Sequence, residues 1–104
     1  MDIVIRIKTG FFEKTPYRLA FEKDELRLAP VGSDGVETII LDKKDIRSVT
    51  LTERGSLELE IQTRAERYFG VLEDGCPMYA AVNYFKEHLN VNITCEYKGG
   101  DKNA

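Results

Sequence analysis

Apolar residues fall on every second position through most of this chain, and at helical spacing in one stretch only. Ile3, Ile5 and Ile7 alternate with Val4, Arg6 and Lys8, which predicts a half-buried strand over Ile3–Lys8. Gly10 breaks the pattern, and the adjacent Phe11 and Phe12 point to opposite sides if extended, one toward the core. Tyr17, Leu19 and Phe21 alternate with Arg18, Ala20 and Glu22 in a second strand. Lys23-Asp24-Glu25 makes a tight polar turn, and Leu26 and Leu28 return on the apolar face until Pro30, which has no N–H to donate. A Gly/Ser/Asp loop at 31–35 precedes a β-branched strand at 36–41. In the strand at 46–52, Val49 and Leu51 share one face while Ile46 falls on the other, a conflict that a β-bulge resolves. Ser56–Thr63 is the cleanest alternation, with Leu57, Leu59 and Ile61 inward and Glu58 and Glu60 outward. A seventh strand spans Arg67–Leu72, where Gly70 marks a kink or close packing.

The helical stretch is residues 77–89 (PMYAAVNYFKEHL). At about 100° per residue, Met78, Ala81, Val82, Phe85 and Leu89 form an apolar arc about 100° wide, enough to seal one side of a core. Pro77 suits the first helical position, and Lys86 and His88 suit the last turn beside the negative end of the dipole. Asn90 is placed to end the helix in the left-handed region. Val91, Ile93, Cys95 and Tyr97 then alternate with Asn92, Thr94 and Glu96, giving a short terminal strand, and residues 99–104 are expected to fray into a disordered tail.

Seven short strands followed by one amphipathic helix resemble a pleckstrin-homology-like (PH-like) domain. GFFEKTPYRLAFEKDELRLAP is similar to the first hairpins of that superfamily, and TIILDKKDIRSVTL to the next strand pair of its bacterial PH-like and GRAM-like branches. LELEIQTRAERYFGVLEDG is similar to the last hairpin before the capping helix. The resemblance covers residues 3–90 and implies one domain over 1–98. Its expected fold is a mainly β barrel of seven antiparallel strands in two near-orthogonal sheets, capped by one C-terminal helix, with an extra short C-terminal strand. It also implies a binding or assembly module. PH domains that bind phosphoinositides carry a lysine late in the first strand and alternating basic residues on the second. Lys8 and Arg18 fit those places and Lys14 the loop between, but the next alternate position is Ala20. The terminal strand, 91–97, either pairs with a sheet edge of its own subunit or pairs across a homo-oligomer.

Composition narrows the chemistry. The 104 residues carry a net charge of −3, with a local excess of +2 over residues 1–18. That balance argues against nucleic acid, which needs a basic stripe. No apolar run reaches the roughly 20 residues of a transmembrane span, and the N-terminus has no signal-peptide pattern, so a cytoplasmic protein is expected. Cys76 and Cys95 lack metal or redox spacing and are expected to be separate thiols, with no metal and no cofactor. Cys76, near the helix start, is a candidate for a lowered pKa, although no base accompanies it. Glu58 and Glu60 share a strand face at about 7 Å, a spacing seen in glycoside hydrolysis, and His88 is the sole histidine. None of these forms a catalytic constellation, and a non-enzymatic protein is expected. Its partner is a protein or a second copy, with Tyr79 and Tyr84 on the helix flanks as candidate interaction residues. The alternative is an anionic phospholipid head group at Lys8, Lys14 and Arg18.

Overall fold

In a computed structural model of the chain the alternation becomes an eight-stranded sheet; the structure describes residues 3–8, 14–32, 37–73 and 75–97. The strands are β1 (Ile3–Lys8), β2 (Lys14–Glu22), β3 (Glu25–Pro30), β4 (Ile39–Asp42), β5 (Ile46–Arg54), β6 (Ser56–Thr63), β7 (Arg67–Leu72) and β8 (Asn92–Tyr97). A 3-10 turn, Lys43–Asp45, links β4 to β5, and one helix, α1 (Met78–His88), precedes β8. Phe11, Phe12 and the predicted tail at 99–104 lie outside the described residues.

Across the sheet the order is β4-β3-β2-β1-β7-β6-β5-β8. Hydrogen bonds therefore join the strands into one open sheet, where the sequence predicts two. Every neighbouring pair is antiparallel except β5 and β8, which run parallel. The terminal strand thus pairs within its own chain, with Ser48 opposite Asn92 through to Glu53 opposite Tyr97.

The sheet curls. Leu26 and Leu28 of β3 and Val49 and Leu51 of β5 are all fully buried in one apolar cluster. In a flat sheet those strands would lie about 24 Å apart, five spacings of ~4.8 Å, too far to share a core. Curling brings both ends around α1, which buries Met78, Ala81 and Phe85 and leaves Val82 half-buried. Leu89, just past the helix, is buried as well.

The two four-stranded halves meet where β1 pairs with β7; the described residues pair here as Ile5–Leu72, Arg6–Val71 and Ile7–Gly70, and the Glu73 amide donates to the Val4 carbonyl at 3.0 Å. Gly70 is there because nothing larger fits. A Cβ at that position would lie 2.7 Å from the Arg6 carbonyl oxygen and 2.7 Å from the Ile5 side chain.

The bulge expected in β5 is present: Ile46 pairs with Thr63 and Ser48 with Gln62, so Arg47 is the extra residue. It turns Ile46, Val49 and Leu51 to the same buried side. Thr63 is buried at the next corner, where its hydroxyl donates to the Glu66 carbonyl at 2.9 Å and accepts from the Glu66 and Ala65 amides.

Both helix ends differ by a step from expectation. Pro77 is the extended N-cap rather than the first helical residue, and its carbonyl accepts from the Ala80 and Ala81 amides. At the other end Leu89 closes the helix in an extended conformation, donating to Phe85 O at 2.8 Å. No left-handed cap forms at Asn90; among the described residues Lys23, in the β2–β3 turn, is the one non-glycine with positive φ. Burial of Leu89 draws the chain into the core before a left-handed turn can form.

Three substitutions test this architecture. Phe85→Ala should destabilise the fold by about 3–5 kcal/mol, read as a lowered denaturation midpoint in urea; an unchanged midpoint would remove the helix as the plug of the core. Gly70→Ala should cost about 1–3 kcal/mol by overpacking the seam, whereas Ala80→Gly, on a half-buried helix position, should cost about 1 kcal/mol or less.

Candidate functional site

The strand register puts Arg6 and Arg18 on the face of the sheet opposite the core. Ile3, Ile5, Ile7, Tyr17 and Leu19 are buried, so the alternate positions of β1 and β2 face outward. Lys8 is opposite Lys14, Arg6 opposite Pro16 and Val4 opposite Arg18. The backbone therefore brings Lys8 and Lys14 together, while Arg18 lies four residues further along β2, about 13 Å away. The side chains of Lys8 and Lys14 fall outside the described set.

Two neighbouring cations are already engaged. Arg6 pairs with Glu73 at 3.4 Å, both side chains largely exposed, so the pair contributes at most about 1 kcal/mol. Its significance is positional. Glu73 and Arg6 line the same shallow cleft, about 300 Å³, with Val71 and Leu72, and a carboxylate there opposes an incoming anion. Arg27 donates from Nε to Glu25 at 2.7 Å and lies 3.5 Å from Glu22, and the hydrogen bond to Glu25 raises its pKa further. The outer face is a mixed-charge surface rather than a convergent cation cluster.

On the helix, the structure separates the two tyrosines. Tyr84 belongs to an aromatic stack with Phe21 of β2 (centroids 5.4 Å apart), Phe85 and His88. His88 lies flat on Phe21 at 4.6 Å and 12°, and Lys43 Nζ is 5.4 Å from the Phe21 ring centroid. These contacts fix one flank of α1 against β2, and they give Tyr84 and His88 a packing role. Tyr79, about 140° round the helix from Tyr84, is on the flank turned away from β2 and is 72% exposed.

Beside that open flank lies β8. The helix packs on β5 and β8, and Tyr97 is the last residue of β8. Ile93 packs against the core, but Cys95 and Tyr97, on the same side of the strand, are exposed, Tyr97 by 68%. Among the described residues no strand pairs the outer edge of β8. The alternation of 91, 93, 95 and 97 identified a strand; its place at the end of the sheet is what leaves Tyr97 exposed.

The chemical candidates are not brought together. Glu60 is held by Arg67 Nε at 2.7 Å, and Glu58 lies along the same face without a facing acid. The Cys76 thiol is pushed up by burial rather than lowered, because it is half-buried two residues before α1, with its sulfur 3.9 Å from the Pro77 carbonyl oxygen. Tyr68 is likewise raised, first by burial and then by Glu66, to which its hydroxyl donates at 3.2 Å. Cys76 and Cys95 are both free thiols, as expected, and no three potential ligands cluster for a metal among the described residues. No described helix is long and apolar enough to cross a membrane.

The thiols give a direct check. A raised pKa leaves less thiolate at any given pH, so with a maleimide at neutral pH one equivalent, Cys95, should react quickly and Cys76 should lag. Mass spectrometry of the labelled peptides distinguishes them, and faster reaction at Cys76 would contradict the burial argument.

No protein-family model and no curated protein matches this chain.

Proposed function

We propose that this chain is a non-enzymatic PH-like module, its two half-sheets forming the two walls of a barrel, that binds a protein partner or a second copy of itself. The observation that carries the proposal is the outer edge of β8, which no strand pairs among the described residues. An extended segment added to that edge would complete a ladder of main-chain hydrogen bonds. Tyr97, exposed at the end of β8, and Tyr79, exposed on α1, are large amphipathic anchors, a residue type enriched in interfaces.

The head-group alternative draws less support from the same geometry. Of the candidate cations only Lys8 and Lys14 are neighbours, Arg18 stands apart, and Glu73 lies in the adjoining cleft. An acidic chain also approaches an anionic membrane against its own field. For catalysis, no nucleophile, base and oxyanion donor converge among the described residues.

The proposal predicts that a Tyr79→Ala/Tyr97→Ala double variant keeps its unfolding midpoint, since exposed substitutions usually change stability by less than about 0.5 kcal/mol, yet loses at least ten-fold in partner capture. Immobilised wild-type and variant proteins compared on the same cell extract provide the measurement. Equal capture by both would overturn the assignment of this surface.

A further inference from the structure

We infer that the occupant of the β8 edge is the β8 edge of a second copy, paired antiparallel about a two-fold axis at Thr94; this rests on the binding role just proposed. The argument is one of register. A two-fold axis perpendicular to the sheet keeps each face of the strand on its own side, so opposed residues must have numbers that sum to an even value. Three registers with the axis near the strand centre satisfy this. An axis at Ile93 leaves Glu96 and Tyr97 unpaired, and an axis at Cys95 leaves Val91 and Asn92 without partners among 91–97. The axis at Thr94 pairs 92 with 96 and 93 with 95 within β8, and it also sets Val91, which the structure places just before the strand rather than in it as the sequence predicted, opposite Tyr97.

That register is also chemically self-consistent. On the core side it sets Val91 against Tyr97 and Ile93 against Cys95, apolar with apolar. On the outer side it sets Asn92 against Glu96, an amide donor against a carboxylate, and Thr94 against Thr94, a favourable cross-strand pair. The strand's one charged residue never faces its own copy. The two Glu96 side chains stand four residues apart along the joined strands, about 13 Å, beyond a Debye length of about 8 Å at physiological salt. The edge offers none of the usual blocks to pairing: β8 contains no Pro, no Lys and no Arg. On the outer side its neighbour β5 presents Ser48, Thr50 and Thr52 beside β8, while Glu53 lies beside Tyr97 on the other side. The product is a sixteen-stranded sheet with both helices on one face.

Seven residues a side make a small interface, so the dimer should be weak and concentration-dependent. Light scattering of the purified chain should show the mass rising from monomer toward dimer with concentration. Thr94→Lys, which sets two cations face to face at the axis, should hold the protein monomeric across that range. Thr94 is exposed, so the unfolding midpoint should stay the same. Register is read by cross-linking. Under mild oxidation Thr94→Cys in a Cys95→Ser background should form a disulfide dimer, because residues at the axis have Cα atoms about 4.5–5.5 Å apart. Wild-type Cys95 should not, because in this register the two copies of Cys95 lie diagonally, about 8 Å apart. A wild-type chain that stays monomeric, a Thr94→Lys variant that still dimerises, or cross-linking through Cys95 instead of position 94 would each overturn the inference. A monomeric wild type whose capture of another protein still depends on Tyr79 and Tyr97 would overturn the dimer and leave the binding role standing.

Discussion

The fold depends on a close approach at one short seam. Among the described residues β1 and β7 share three residue pairs, and through them the half-sheet β4-β3-β2-β1 is joined to β7-β6-β5-β8. The backbone of β7 presses on Arg6 and Ile5 closely enough that only a glycine, Gly70, can occupy its position. That approach puts Ile3, Ile5 and Ile7 of one half in the same buried layer as Leu57, Leu59 and Ile61 of the other. Without the seam the two halves would each be a four-stranded sheet with an uncovered apolar face.

The curled sheet leaves one mouth, and α1 closes it asymmetrically. Phe85 enters the core fully, while Tyr84 and His88 stack on Phe21 and fix the helix against β2. The other flank has no such aromatic lock. The helix also packs on β8, an edge strand that meets the core at Ile93 and exposes Tyr97. The same helix therefore explains both the stable wall of the molecule and the open one.

The chemistry that the residue types allow is mostly absorbed by local structure. Glu60 is taken by Arg67, Arg6 by Glu73 and Arg27 by Glu25, and burial raises the Cys76 thiol instead of activating it. Acids and bases spread singly over strand faces stabilise and solubilise those faces. They do not converge on a reacting atom.

Much of the fold was written in the sequence. Strict alternation determined the strands and their inward faces, from Ile3, Ile5 and Ile7 to Leu57, Leu59 and Ile61. The out-of-phase Ile46 announced the bulge at Arg47, and the 3.6-residue spacing of Met78, Ala81, Phe85 and Leu89 identified the one helix and its buried arc. These are local properties, because side-chain direction follows directly from backbone period. Strand partners, by contrast, depend on long-range closure. Only the tertiary structure decided that all eight strands form one sheet, that Gly70 sits at a contact and not a kink, and that β8 lies parallel to β5 in its own chain. The candidate site was legible in part for the same reason. Alternation and helical phase say which side of an element a residue occupies, but Tyr84 is packed and Tyr79 and Tyr97 are exposed because of what lies, or does not lie, across from them.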